Sequence, residues 1–268
     1  MLEKHKQAIL FYKNNPNYSI RKVAEIFHMD RIQLGKLLKE QGILEDRRRK
    51  YFCDFDYFKN IDCEEKAYWL GFILADGCVK HNNNFCFTLS YKDSYILNEL
   101  NNCLNSTYPI TVFNISTNYI ENATYCNLTI RSKLFCDILK SYGIIENKTF
   151  QAKFNFENKI PPQFLNAYIR GIFDGDGWFT NSTHTKSKAK EIGFSGTKDV
   201  CNGIQKTLKE FLNIDAKVTP CQNIYRLRIG KTNDIIKLYK FMYKNANYYL
   251  KRKYNLLKDF AALNETTM

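Results

Sequence analysis

Two aspartates end two copies of one short motif, and they are the residues of this sequence best placed for chemistry. Asp76 belongs to the segment 70–77 (LGFILADG), and Asp176 belongs to the segment 170–177 (RGIFDGDG). Each apolar run predicts a short helix with the aspartate at its C-terminal end, where the helix dipole disfavours negative charge. A carboxylate in that position needs a proton or a cation beside it.

The spacing of small residues predicts that the two helices pack against each other. Small residues lie four positions apart on each helix, at Gly71 and Ala75 in the first copy and at Gly171 and Gly175 in the second. Such spacing lets two helix backbones approach closely. If the helices are parallel, Asp76 and Asp176 meet at the seam, where their mutual repulsion favours a bound cation.

Paired carboxylates predict a hard divalent ion. Carboxylate oxygens select Mg²⁺, Mn²⁺ or Ca²⁺ rather than zinc. An ion held by carboxylates and by substrate phosphates is a common device for hydrolysing phosphodiester bonds. A single Asp-Gly after a helix would be read as an ordinary helix stop, but its repetition at Asp76 and Asp176 favours the metal site.

The motif belongs to a longer internal repeat, offset by roughly 100 residues. Segment 87–90 (FTLS) matches 192–195 (IGFS), each is closely followed by Lys-Asp, and 128–130 (LTI) matches 227–229 (LRI). Each copy therefore predicts the order αββαββα, with a turn at residues 82–84 (NNN). Asp93 and Asp199 are predicted to cap the helices that follow the second strands.

The two motif segments resemble those of a single-chain LAGLIDADG homing endonuclease, over about residues 65–259. The resemblance implies an α+β, pseudo-twofold fold with a duplicated αββαββα unit and two antiparallel DNA-binding sheets. It also implies that Asp76 and Asp176 bind the catalytic ions, Mg²⁺ or alternatively Mn²⁺. One departure is Leu74, which replaces the acidic residue that Asp174 keeps in the second copy.

The resemblance implies a basic residue late in each half, near the scissile phosphates. The matching residues are Lys148 and Lys253, with Lys251 as a competitor of Lys253. A lysine there would orient the attacking water or stabilise developing charge. The alternative is a helix face that is merely solvated.

The implied sheets would hold double-stranded DNA, with alternate strand residues facing the bases. A register error of one residue would exchange the two faces. Because the halves differ at nearly every such position, the target is expected to be long and partly asymmetric, bound by a monomer acting as a pseudo-dimer. The predicted DNA contacts are Lys80, Asn84, Thr88, Lys92 and Arg131 in the first half, and Thr180, Ser182, His184, Lys190, Lys198 and Arg228 in the second.

Residues 1–45 predict a separate all-α domain that resembles small helix-turn-helix DNA-binding domains. Ser19 and Asp30 are expected N-caps of two helices joined by a short turn at His28. A three-helix bundle that docks on the main domain is the alternative. The residues expected to face DNA are Arg31, Gln33 and Lys36 on the second of these helices, and Arg47, Arg48 and Arg49 in a linker strap.

These patterns divide the chain into the helix-turn-helix-like domain, a basic linker at 46–64 and two repeats at 65–160 and 161–268. The chain has 40 Lys and Arg against 27 Asp and Glu, a net +13, which favours a polyanionic partner. Nine scattered cysteines without a C-x-x-C pair argue against zinc and predict reduced thiols in a cytoplasmic protein. No apolar run is long enough to span a membrane, and no signal peptide is expected.

The function predicted first is a site-specific, metal-dependent DNA endonuclease. Two alternatives stay open. One is a DNA-binding transcription regulator that has lost catalysis. The other is an RNA maturase that binds intron RNA, because the same basic surface suits either nucleic acid.

Overall fold

The computed structural model describes residues 3–15, 18–44, 50–116, 122–181 and 190–265. The chain forms two compact units, residues 1–52 and 53–268. Within the described residues, every helix is too short or too polar to cross a membrane. All nine cysteines are free thiols.

The first unit is a small bundle of the helices α1 (Glu3–Asn14), α2 (Ile20–Ile26) and α3 (Arg31–Glu40). The predicted caps are confirmed, since the Ser19 side chain accepts a hydrogen bond from Lys22 N (3.2 Å) and Asp30 Oδ1 accepts one from Gln33 N (2.9 Å). His28 adopts a left-handed conformation with φ 43° in the turn. The buried core consists of Ala8, Tyr12, Val23, Ala24, Leu34, Leu38 and Leu44.

The first half of the second unit follows the predicted order αββαββα. Its elements are α4 (Glu64–Asp76), β1 (Gly77–Lys80), β2 (Asn84–Ser90), α5 (Ser94–Cys103), β3 (Ile110–Ile115), β4 (Ala123–Arg131) and α6 (Lys133–Ser141). Asn83 takes a left-handed conformation (φ 52°) in the predicted turn between β1 and β2. The strand order β1-β2-β4-β3 is antiparallel throughout.

The second half repeats that order and then adds a helix that the repeat did not predict. Its elements are α7 (Leu165–Asp176), β5 (Gly177–Asn181), β6 (Lys190–Gly196), α8 (Lys198–Leu212), β7 (Lys217–Cys221), β8 (Ile224–Ile229), α9 (Thr232–Tyr243) and α10 (Lys251–Glu265). The strand order β5-β6-β8-β7 matches the first sheet. The duplicated α+β fold is confirmed.

The helices α4 and α7 lie at the centre of this unit, and residues 67–74 of α4 are all buried. Gly71 abuts the Tyr168 carbonyl, and Gly171 abuts the Tyr68 carbonyl and lies beside Phe72 N. Gly175, one turn after Gly171, faces Ala75, so contacts further along α7 are made with residues further along α4. The helices are therefore parallel and in close contact through small residues, as their spacing predicts.

Two predicted helix caps are wrong. Thr197, not Asp199, caps α8 by accepting a hydrogen bond from Val200 N (3.1 Å). The Asp199 carboxylate instead accepts a hydrogen bond from Phe154 N (2.8 Å). Asp93 precedes α5 without capping it, and its carboxylate accepts a hydrogen bond from Arg252 Nε (3.1 Å). Both acids bond to distant segments that local spacing does not reveal.

Candidate active site

Asp76 and Asp176 lie at the adjacent C-terminal ends of α4 and α7. A β-carbon built on Gly175 would be 3.1 Å from Asp76 Oδ2, so the carboxylate of one helix lies against the backbone of the other. Both residues are accessible to solvent. Neither carboxylate accepts a hydrogen bond from, or forms an ion pair with, another described residue. The seam thus presents two unpaired carboxylates side by side.

The surroundings of these carboxylates disfavour their charged form. Although water reaches them, crowding by protein atoms removes part of their hydration. This loss, together with the smaller effect of the neighbouring Asp176 charge, raises the pKa of Asp76 to about 6. The pKa of Asp176 is also raised by loss of hydration. Lys148 and Lys253 oppose both shifts, because each places a positive charge nearby. The lysines offset only part of the lost hydration, so the ionised carboxylate pair is incompletely stabilised.

Lys148 and Lys253 occupy equivalent places in the two halves. Lys148 Nζ donates to the Ala75 carbonyl oxygen (2.6 Å) at the end of α4. Lys253 Nζ donates to Phe173 O (2.6 Å), Gly175 O (3.2 Å) and Gly177 O (2.6 Å) at the end of α7. Each ammonium group therefore donates hydrogen bonds to carbonyl groups left free at the end of a motif helix. Its positive charge also interacts favourably with the helix dipole there.

Burial distinguishes Lys253 from the other lysines that the structure describes. The residue is 7% exposed, and loss of hydration lowers its pKa to about 8. Burial also lowers the pKa of Lys148, against the pull of Asp176 and Asp76. Lys251, the competitor of Lys253, points elsewhere, with its ammonium group 4.7 Å from the centre of the Tyr95 ring. The structure places Lys253, not Lys251, beside the carboxylates.

The donor set at the seam fits a hard divalent cation. No cluster of three or more His, Cys, Asp or Glu residues suited to a metal occurs in the described part of the chain. Mg²⁺ does not require one, because it commonly binds to one or two carboxylates and completes its shell with waters and substrate phosphates. A cavity of about 310 Å³ beside Ala75, Lys148 and Asp176 leaves room for a phosphate and several waters.

Family comparisons agree with the duplicated architecture. Residues 65–158 match the WhiA LAGLIDADG-like domain, and residues 163–242 match the LAGLIDADG-like domain. Each match contains one motif helix and its sheet. The chain is a two-motif LAGLIDADG protein.

Solved LAGLIDADG structures share the fold of this chain at low sequence identity. The homing endonuclease I-WcaI bound to its DNA recognition sequence is 17% identical, with coverage of 75% of this chain and 90% of that chain and a TM-score of 0.53. A single-residue mutant of I-SmaMI is 15% identical, with coverage of 75% and 92% and a TM-score of 0.51. Comparison with curated proteins finds no match.

The two sheets of this LAGLIDADG protein alternate buried and outward-facing residues. Phe85, Phe87 and Leu89 of β2 are buried, so Asn84 and Thr88 face outward, and Lys80 and Arg131 pair with Asn84 on that side. Thr180 and Arg228 face outward from the second sheet. The structure thus brings the predicted strand residues onto the outer faces, except Lys190, which pairs with Asn181 on the alternate side.

The outer face of the first sheet is polar and aromatic, with Lys80 and Arg131 as its charged residues at one end. Asn127 accepts a hydrogen bond from Thr88 Oγ1 (2.9 Å) and donates one to Thr129 Oγ1 (2.7 Å). Phe113 and Tyr125 stack with ring centres 6.1 Å apart. Sequence reasoning missed Asn127, Thr129 and Tyr125, although alternation along β4 from Arg131 would have identified them.

The outer face of the second sheet carries a cluster of charged and aromatic groups. Trp178 Nε1 donates to Glu191 Oε1 (3.3 Å), and Arg228 Nε lies 3.9 Å from the same oxygen. The Arg226 guanidinium lies 5.6 Å from the centre of the Trp178 ring. Gly193 faces the indole, and a β-carbon there would collide with it. Trp178, Glu191 and Arg226 were not predicted.

The remaining predicted contacts lie apart from the seam or outside the described residues. Lys92 and Lys198 are exposed after the second strand of each half. Lys198 borders a second cavity of about 660 Å³, together with Lys140 and Lys153. In the first unit, Arg31, Gln33 and Lys36 are exposed on α3. Outside the described residues lie Ser182, His184, Arg47, Arg48 and Arg49.

Proposed function

We propose that this protein is a site-specific endonuclease that hydrolyses phosphodiester bonds of double-stranded DNA with divalent cations held by Asp76 and Asp176. The observation that carries the proposal is the pair of unpaired carboxylates at the seam of two parallel helices. Their raised pKa values indicate a site that gains free energy when a cation arrives.

Each side chain at the seam has a role in this proposal. When bound, Mg²⁺ or Mn²⁺ would supply an activated water and neutralise charge on the phosphate. Asp76 and Asp176 hold the ion at the helix ends. All three ammonium protons of Lys253 already have carbonyl acceptors, so this lysine acts through its positive charge and not by donating a proton to the substrate. Lys148 has only one such acceptor and keeps donors for a phosphate or a water.

Three observations support DNA as the partner. The net charge of +13 favours a polyanion. The outward strand residues form the faces of two antiparallel sheets, and antiparallel strands can enter a major groove. The structural relative I-WcaI is bound to its DNA recognition sequence. In the first unit, Arg21, Arg31, Lys36 and Lys39 border a groove of about 510 Å³, which supports a further DNA contact by the helix-turn-helix-like unit.

A second candidate is a protein of the same fold that binds DNA without cutting it. The match of residues 65–158 favours this candidate, because that family model is named for WhiA and not for an endonuclease. The unpaired Asp76 and Asp176 favour the endonuclease, since a protein that only binds DNA gains nothing from two carboxylates facing a phosphate.

Selection of cleaved molecules from a plasmid library with a randomised site tests the proposal and identifies the target in one experiment. The protein with Mg²⁺ is expected to linearise a subset of plasmids that share one long sequence. The Asp176→Asn variant and a reaction with EDTA are the controls, and both should leave the library intact. Enrichment of bound but uncut plasmids would instead support the second candidate, and an uncut library with no enriched sequence would reject both.

Affinity for DNA is expected to fall steeply with salt. Each neutralised phosphate releases a counterion, so a surface with several lysines and arginines gives a plot of log K against log [salt] with a slope of about −4 or steeper. Between 50 and 200 mM salt, binding should weaken by at least roughly 250-fold, as measured by fluorescence anisotropy with the selected duplex. A flat salt dependence would argue against phosphate contacts.

Divalent cations are expected to stabilise the apo protein at pH 7.5 but not at pH 5. Because the pKa of Asp76 is raised to about 6, ionisation costs folding free energy as the pH rises through that value, and a bound cation recovers the loss. Millimolar Mg²⁺ should raise Tm by about 2–5 °C at pH 7.5, in a scanning fluorimetry measurement. An Asp76→Asn variant should lose this response. An equal response at both pH values would contradict the account.

The two half-sites of the target are expected to differ in base composition. Arginine pairs with the guanine edge and asparagine with adenine, while apolar groups contact the thymine methyl. Arg228→Ala should therefore relax a guanine preference in one half-site, and Asn127→Ala should relax an adenine preference in the other, each by about tenfold in a binding selection. Relaxation of the same half-site by both variants would contradict this assignment.

A further inference from the structure

The second motif helix carries two buried charged residues that the first motif helix lacks. Arg170 and Asp174 are each 1% exposed, whereas the corresponding residues of α4 are Leu70 and Leu74. A buried charge is costly unless its partners are complete. The contacts of these two residues therefore indicate what the second half gains from them.

Asp174 is surrounded by donors from three segments. Its carboxylate accepts hydrogen bonds from Tyr68 Oη (2.9 Å) on α4, from Tyr243 Oη (3.4 Å) on α9 and from Leu250 N (2.8 Å) immediately before α10. Arg170 binds the segment just before α10, because its Nε donates a hydrogen bond to Tyr248 O (3.0 Å). Together they tie residues 242–250 to the motif helix.

The bond to Leu250 N matters because the residue before α10 has no side chain that could cap the helix. Leu250 occupies the position before the first helical residue, where a serine, threonine or aspartate would normally accept a backbone N–H. Leucine has no acceptor. The first turn also contains Lys251, Arg252 and Lys253, whose positive charges oppose the helix dipole. The Asp174 carboxylate accepts the N–H of Leu250 itself, as the glutamate of a capping box does, and adds a negative charge at this end. Tyr95 Oη accepts the next N–H, from Lys251 (2.7 Å).

Lys253 belongs to that first turn, and its backbone N–H donates to Leu250 O (3.0 Å). The position of its ammonium group beside Asp76 and Asp176 therefore depends on the turn that Asp174 caps. In the first half, Lys148 lies in a short 3₁₀ turn (Lys148–Phe150) instead of at the start of a long helix.

We propose that Asp174 is a positioning residue, whose buried carboxylate caps α10 from a distance and thereby holds Lys253 at the end of the motif helix. This inference rests on the proposed function for its kinetic consequence, but the capping itself is independent of cleavage. Asp174 acts through Lys253 and does not touch the substrate.

Epistasis with the two lysines tests the inference. Asp174→Asn weakens the acceptor and is expected to slow single-turnover cleavage of the selected duplex by about 10- to 100-fold, since a displacement of about 1 Å costs that much. Combined with Lys253→Met, the change should add nothing further. Combined with Lys148→Met, its effect should multiply. Glu64→Gln, which alters the same buried network at its contact with Arg170, is the matched control. Its effect on the cleavage rate should multiply with that of Lys253→Met and with that of Lys148→Met.

Hydrogen exchange gives a readout that does not require cleavage. In Asp174→Asn, the amides of residues 250–254 should exchange at least about tenfold faster, while those of α4 and the sheets stay protected. If the wild-type protein does not cut DNA but this local loss of protection appears, the proposed function fails and the capping inference stands. Multiplication of Asp174→Asn with Lys253→Met, or unchanged exchange at residues 250–254, would overturn the inference.

Discussion

Asp176→Asn is expected to reduce the rate of DNA cleavage by at least about 1,000-fold while leaving DNA affinity nearly unchanged. The substitution keeps the size of the side chain and removes the charge that would hold the cation, so the loss falls on transition-state stabilisation. Asp76→Asn should have an effect of the same order, because the two carboxylates occupy equivalent helix ends. The measurement is single-turnover cleavage of the selected duplex, with affinity measured separately in EDTA.

Asp215→Asn is a suitable control for this experiment. Asp215 is an exposed aspartate that pairs with Lys209 (2.9 Å) and lies outside the seam. Its replacement should leave cleavage within about twofold of wild type, since an exposed ion pair contributes little. If folded Asp176→Asn protein cut DNA within about tenfold of the wild-type rate, the carboxylate pair would not be the catalytic centre.

Gly171→Ala is expected to lower the free energy of unfolding by about 3 kcal/mol or more, the opposite of the usual effect of alanine in a helix. A β-carbon at this position would collide with the Tyr68 carbonyl and would be 2.6 Å from Phe72 N. Both are backbone atoms of the partner helix, so the helices must separate or tilt. The measurement is chemical denaturation followed by circular dichroism, and cleavage should be lost along with the seam.

Two glycines provide matched controls of the opposite sign. Gly35 lies inside α3, and a β-carbon there meets nothing within 4 Å, so Gly35→Ala should stabilise the first unit by up to about 1 kcal/mol. In the second unit, Gly196→Ala would place its methyl group 3.4 Å from Val200 Cγ1, an ordinary contact. A Gly171→Ala protein as stable as Gly196→Ala would show that the motif helices are not in close contact there.

Features that depend on spacing along the chain could be predicted from the sequence. The small residues at positions 71, 75, 171 and 175 indicate the helix seam, because helix periodicity places them on one face. The order αββαββα follows from alternation and from the internal repeat. The helix caps at Ser19 and Asp30 are also local, since each contacts a backbone N–H three residues ahead.

Features that depend on contacts between distant segments could not be predicted in this way. Asp174 contacts Leu250 N, 76 residues later, and Asp199 contacts Phe154 N, 45 residues earlier. The sequence also leaves the choice between Lys251 and Lys253 open, because the orientation of helix α10 depends on packing. Trp178, Arg226 and Glu191 become one cluster only when the register of β5, β6 and β8 is known.

The account depends on a divalent ion shared by the two helix ends, and anomalous diffraction from crystals of the protein with Mn²⁺ and its selected DNA observes that ion directly. We expect Mn²⁺ at the seam, with oxygens of Asp76 and Asp176 and of a DNA phosphate at about 2.1 Å. Crystals in which DNA occupies the sheets while no Mn²⁺ contacts either carboxylate would contradict the central claim.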